Sequence, residues 1–139
     1  MERLIFVDSG AWIAVTDVRD QYHRAASQTY RRLLQQGQVM VTTNLVIAES
    51  YSAVRRSMGH ATAIRFLQSV HQSRWLRRIS STTDIEERAE ATLIKYADQD
   101  FTLTDAVSFA VMQELGIAAA FAFDHHFVTA GFALLPPLP

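Results

Sequence analysis

Four carboxylates occupy positions from which they could share one piece of chemistry. Asp8 ends the apolar run Leu4-Ile5-Phe6-Val7, and Asp124 follows a second apolar run at 117–123. Asp105 falls in the first turn of a predicted helix opened by Thr102-Leu103-Thr104-Asp105. There backbone N–H groups and the helix dipole favour an ionised acid. Glu49 lies on a predicted helix, off the stripe formed by Ile47, Tyr51, Val54 and Met58. Its neighbours one turn away are Leu45, Val46, Ser52 and Ala53, which predicts a partly buried acid beside small residues. In an open parallel sheet the C-terminal strand ends line one edge, where ligands bind. Asp8 and Asp124, more than a hundred positions apart, would meet there. Carboxylates so crowded repel one another unless something neutralises them. A hard divalent cation with oxygen ligands, Mg²⁺ or Mn²⁺, answers that need. Such a centre can activate water and stabilise charge on a reacting phosphoryl group.

Each acid also has a plainer reading. Asp8 could cap a helix, and Asp105 could be the reciprocal half of a capping box. Asp124 could be a turn residue ahead of His125-His126, and Glu49 could pair with Arg56. His125 and His126 read as loop histidines; His23, His60 and His71 read as surface residues without metalloprotease spacing. The sequence has no glycine-rich phosphate loop. A receiver-type phosphoacceptor would also gather acids at strand ends, but it needs a lysine after a late strand. The one lysine, Lys95, falls inside a predicted helix.

Alternating elements must position these acids. Strands are predicted at 4–7, 39–41, 75–79, 117–123 and 132–135. Helices are predicted at 21–36, 45–58, 60–72, from a capping box at Thr83-Asp84-Ile85-Glu86, and from Thr102 to a stop at Gly116. Ser9-Gly10 reads as a turn that leads to a helix starting near Trp12. Arg77 and Arg78 mark the third strand as an edge. The runs at 4–7 and 117–123 lack polar alternation, as strands covered on both faces should. The expectation is one α/β domain over residues 1–139 with a mainly parallel sheet.

Composition agrees. The 139 residues are 49% hydrophobic and 19% charged, enough for a core and too few charges for disorder. The start, Met1-Glu2-Arg3, leads into a strand and not into a signal-peptide pattern, and no apolar run has membrane-spanning length. The absence of cysteine excludes disulfides and fits the cytoplasm as the expected location. The net charge of −1 hides a division: residues 1–80 carry eleven basic and five acidic side chains, the remainder two and nine. Twelve of the thirteen basic residues are arginine, whose fork suits phosphate. Arg55, Arg56, Arg65, Arg74, Arg77 and Arg78 could hold nucleic acid, face an acidic partner, or form a solvated surface. The aromatics Trp12, Tyr22, Tyr30, Trp75 and Phe101 read more readily as core than as base-stacking platforms; Trp12, one helical turn past Asp8, is the one to watch.

With the acids placed, the sequence resembles the PIN-domain ribonucleases, and within them the VapC-type toxins of prokaryotic toxin–antitoxin pairs. The resemblance spans nearly the whole chain. It rests on FVDSGAWIA at the start, TTNLVIAES around Glu49, DFTLTDAVSFAVMQELGI around Asp105 and AFAFDHHFVTAGF around Asp124. It implies a three-layer α/β/α fold and metal-dependent endoribonuclease activity with Mg²⁺ or Mn²⁺. It implies that Asp8, Glu49, Asp105 and Asp124 make the metal site, with Asp8 and Asp105 as direct ligands. Ser9 and Thr104 would be supporting hydroxyls. It further implies an RNA substrate, a cognate antitoxin and a homodimer. A non-catalytic RNA-binding or partner-binding PIN-like module is the alternative.

Overall fold

The computed structural model describes residues 3–137; Met1 and Glu2, where the signal-peptide reading begins, lie outside them. Five strands form one parallel sheet: β1 (Ile5–Val7), β2 (Met40–Thr43), β3 (Leu76–Ile79), β4 (Ala119–Phe121) and β5 (Ala133–Leu135), in the order β3-β2-β1-β4-β5. The helices are α1 (Ser9–Thr16), α2 (His23–Gln35), α3 (Asn44–Met58), α4 (His60–Gln72), α5 (Thr83–Lys95), α6 (Leu103–Leu115) and α7 (His126–Thr129). The all-parallel sheet matches the expected α/β class.

The order dictates the layers. From β1 the chain steps outward to β2 and β3, then returns past β1 to β4 and β5. Parallel crossovers are right-handed. The two stepping directions therefore put α1–α4 on one face and α5–α7 on the other. Ring contacts agree: Phe6 meets Phe127 of α7, while Phe121 stacks on Tyr30 of α2. Phe109 and Phe127 make an edge-to-face pair at 5.2 Å on the α6 side, and Trp12 does the same with Tyr30 on the other. The sheet is buried between these layers, which explains the unbroken apolar runs of β1 and β4. β3 pairs on one side only, as its arginines predict.

Several boundaries differ from expectation. Ser9 and Gly10 are not a turn; they open α1, directly after Asp8. The strand over 117–123 is reduced to three residues, Ala119–Phe121. Thr82, not Thr83, caps α5, accepting the Ile85 N–H at 3.2 Å, so the expected box over Thr83 and Glu86 is not the one formed. The Thr102–Asp105 box is formed, and Gly116 closes α6 in the left-handed region at φ 67°. The short helix α7 was not anticipated. Trp12 is core, as the commoner reading of the aromatics has it: it is buried between Tyr30 and Phe66, and its Nε1 donates to Thr42 Oγ1 at 3.4 Å.

Candidate active site

The sheet reverses its stepping direction between β1 and β4, and the two are paired with Val7 opposite Phe121. Such a switch point opens a crevice beyond the C-terminal strand ends. Asp8 leaves β1 there, its N–H held by Phe121 O at 3.0 Å. Asp124 follows β4 by three residues. The crevice above them is a cavity of about 420 Å³ lined by Asp8, Ser9, Ile13, Tyr22, Phe123 and Asp124, among others.

Asp8 stands at the N-cap position of α1, but its side chain makes no capping hydrogen bond. The plainer reading as a helix cap therefore does not account for the carboxylate. It is 5% exposed. Burial is the main cause that pushes its pKa from 3.8 up to about 7; the carboxylates of Asp105, Glu49 and Asp124 push the same way, against the Ser9 N–H. The other three acids thus all act electrostatically on Asp8.

Asp105 is equally buried, at 6% exposure. Its backbone N–H donates to Thr102 Oγ1 at 3.0 Å, and its Oδ2 accepts the Thr102 N–H at 3.0 Å. The box is real, yet it does not exhaust the carboxylate, whose Oδ2 also faces His126. The helix terminus was expected to keep this acid readily ionised. Burial outweighs that and raises its pKa, while the Thr102 N–H and His126 pull it back. Thr104 precedes Asp105, and its carbonyl accepts the Ser108 hydroxyl at 2.8 Å. The hydroxyl that fixes Asp105 belongs to Thr102.

Glu49 is exposed, not partly buried, and it is not paired with Arg56. Thr43 caps α3 by accepting the Val46 N–H at 3.1 Å, which fixes the start of the helix that carries Glu49. Ser9 Oγ donates to Glu49 Oε1 at 2.6 Å. That bond ties the start of α1 to α3 and holds the exposed acid toward Asp8.

His126 is the residue the sequence reading missed. Its Nδ1 lies 3.0 Å from Asp105 Oδ2 and 3.2 Å from Asp124 Oδ2. A single N–H shared between two carboxylates satisfies both distances. The Asp124 side chain also accepts the His126 backbone N–H at 2.9 Å, and Phe101 packs edge-on against the imidazole. The signal was present in Asp124-His125-His126, since a residue two past a strand-end acid is free to fold back over it. His125 is exposed and reaches Asp124 only at 3.8 Å.

The ligand atoms of Asp105, Asp124 and His126 lie within 4.8 Å of one another; Asp8 and Glu49 stand outside that triangle. The ion pairs these acids make among the described residues come from His125 and His126. No arginine is among those partners, and Lys95 instead lies over the Tyr96 ring, 5.3 Å from its centroid. Buried acids of raised proton affinity, without a strong base beside them, form a donor set that fits a hard divalent cation.

Comparison with known proteins identifies the family. The PIN domain model matches residues 5–133. The chain is 33% identical over 134 residues to the 23S rRNA-specific endonuclease VapC20 of Mycobacterium tuberculosis strains CDC 1551 and H37Rv, covering 96% of this chain and 99% of each relative. The crystal structure of M. tuberculosis VapC20, described as a sarcin–ricin loop cleaving toxin, superposes with a TM-score of 0.83 at 34% identity, covering 93% of this chain and 96% of that one. The receiver-type alternative is thereby set aside. The chain belongs to the PIN-domain family, and the relatives it matches end to end are VapC-type members.

Proposed function

We propose that this protein is a Mg²⁺- or Mn²⁺-dependent endoribonuclease, the toxin of a VapBC-type pair, built as a single domain. The observation that carries the reading is the buried Asp8 carboxyl, whose pKa burial and the nearby Asp105, Glu49 and Asp124 push up to about 7, an acid that a bound cation would neutralise. Asp8, Asp105 and Asp124 would hold the cation, with Glu49 reaching it from α3. When bound, the cation would supply Lewis acidity to the scissile phosphate and to the attacking water.

The remaining work falls to the chain's own groups. The Phe121 carbonyl fixes the Asp8 backbone at the strand end, and the Thr102 box fixes the Asp105 carboxylate, which limits the reorganisation the site needs. Ser9 orients Glu49 toward the same point. His126 orients Asp105 and Asp124 and limits their mutual repulsion. In-line attack of water forms the new P–O bond as the bond from phosphorus to the 3′ oxygen breaks. The products then carry 5′-phosphate and 3′-hydroxyl ends.

The exposed arginines of α3, α4 and β3 would contact the RNA backbone or an acidic antitoxin. The 23S rRNA specificity named for the relatives makes ribosomal RNA the first substrate to try. Ile94, Tyr96 and Leu103 are large apolar side chains left exposed where α5 ends and α6 begins, a surface suited to a second copy. Among the described residues no helix is long and apolar enough to cross a membrane. The test is incubation of total RNA with the purified protein, with and without EDTA, and mapping of the new ends. Cation-dependent cuts with 5′-phosphates support the proposal. Intact RNA at every cation concentration refutes it.

A further inference from the structure

One wall of the site cavity is aromatic, and nothing in the chemistry above uses it. Tyr22 stacks on Phe123 with ring centroids 4.5 Å apart and planes 6° from parallel. Phe123 in turn packs edge-on against Phe121 at the end of β4. Tyr22 remains 42% exposed, so one face of its ring is covered and much of the rest is open. The segment that carries it is held firmly. Asp20 N–H donates to Asp17 O at 3.0 Å, Tyr22 N–H to Asp20 Oδ1 at 2.8 Å, and His23 N–H to Asp20 O at 3.0 Å. His23 Nδ1, 2.7 Å from Ala14 O, anchors the start of α2 to α1. The ring is therefore presented on a fixed scaffold, beside the same cavity that Asp8 and Asp124 line.

The chemistry of the walls selects the occupant. Asp20, bonded to the Tyr22 N–H, disfavours a phosphate beside the ring, whereas a cation held by Asp8 and Asp124 would draw the phosphate to their side of the same space. A neutral planar group with N–H edges meets no such barrier: its face suits the ring and its edge suits carboxylate and amide acceptors, including Gln21 on the same rim. The cavity, at about 420 Å³, is roomy enough for such a group. We infer that Tyr22, backed by Phe123, is a stacking platform for an unpaired nucleobase adjacent to the scissile phosphate. It sets which nucleotide may stand next to the cut. The inference rests on the endoribonuclease reading and adds a base-binding subsite to it.

The test uses the full-length protein and synthetic oligonucleotides spanning a mapped cut. Each carries either the native nucleotide or an abasic one at the positions flanking the cleaved bond. Base–aromatic stacking predicts that removing the stacked base lowers kcat/KM of the wild type roughly 5- to 150-fold. Tyr22→Ala should show the same loss on the native oligonucleotide and no further loss on the abasic one. Tyr22→Phe, which keeps the ring, should retain wild-type sensitivity to the abasic site. Equal cleavage of native and abasic substrates by the wild type would overturn the inference while leaving the nuclease reading intact. So would undiminished abasic sensitivity in a folded Tyr22→Ala protein. Absence of cleavage of any RNA in Mg²⁺ or Mn²⁺ would instead overturn the nuclease reading, and the subsite with it.

Discussion

Asp8→Asn should make the cation-free protein more stable at neutral pH while removing its activity. In the folded chain the Asp8 pKa is pushed from 3.8 up to about 7, first by burial and then by neighbouring carboxylates. Between those two values the folded state holds a proton that the unfolded state releases. Stability therefore falls as pH rises through this window, and the penalty is complete above about pH 7. Each tenfold change in proton affinity is worth about 1.4 kcal/mol, so the full penalty is roughly 4 kcal/mol. Side-chain relaxation and entering water reduce it, and about 2–4 kcal/mol is the range to expect. Asparagine has nearly the shape of the protonated acid and never bears the charge. The burial of Asp105 is common to both proteins and cancels in the difference; its repulsion with Asp8 is relieved in the variant and adds to the gap with the same sign.

The assay is urea or thermal unfolding of both proteins in EDTA, at intervals from pH 4 to pH 8. The variant should exceed the wild type by about 2–4 kcal/mol at pH 8, or at least about 6 °C in Tm for a chain of this size. The gap should narrow steadily below pH 7 and close near pH 4. A variant less stable than the wild type at pH 8, or a gap independent of pH, would refute the argument that Asp8 carries an uncompensated buried charge.

Other substitutions separate positioning from packing. Ser9→Ala releases Glu49; it should cost about 1 kcal/mol of stability or less but lower the cleavage rate about 10- to 100-fold, read by RNA cleavage alongside denaturation. His126→Ala leaves Asp105 and Asp124 facing each other without their shared N–H; the cation-free protein should lose about 1–3 kcal/mol, and saturating Mg²⁺ should restore part of it, as a thermal shift would show. Thr102→Ala removes the cap that holds Asp105; it should cost about 1 kcal/mol and weaken Mn²⁺ binding measured by calorimetry. Trp12→Ala should destabilise the chain by about 3–5 kcal/mol, because the indole is core; Trp12→Phe should leave RNA affinity unchanged in a filter-binding assay.

The fold was readable wherever periodicity and caps spoke for themselves. Unbroken apolar runs announced β1 and β4, and the charges of Arg77 and Arg78 announced the edge. Gly116 and the Thr102–Asp105 box bounded α6 without ambiguity. Asp8 and Asp124 come to one edge because the first directly follows β1 and the second follows β4 by three residues, on either side of the switch point. What escaped was local and three-dimensional. Nothing in the spacing of Glu49 showed that it would be exposed and steered by Ser9, since that bond joins residues forty positions apart. His126 escaped because a four-residue helix gives too short a period to detect, and only its turn brings Nδ1 back over both acids. Trp12 is core, as the commoner reading of such aromatics has it, whereas Tyr22, read the same way, is left 42% exposed.

The most direct measurement is the Mg²⁺ dependence of the cleavage rate on a defined RNA, for the wild type and Asp8→Asn side by side. The wild-type rate should rise from none in EDTA to a plateau, and the variant should fall below it by a factor on the order of 10²–10³ or more at every concentration. A wild-type rate indifferent to EDTA, or a variant that cleaves as fast as the wild type, would contradict the assignment of these carboxylates as a metal-dependent nuclease site.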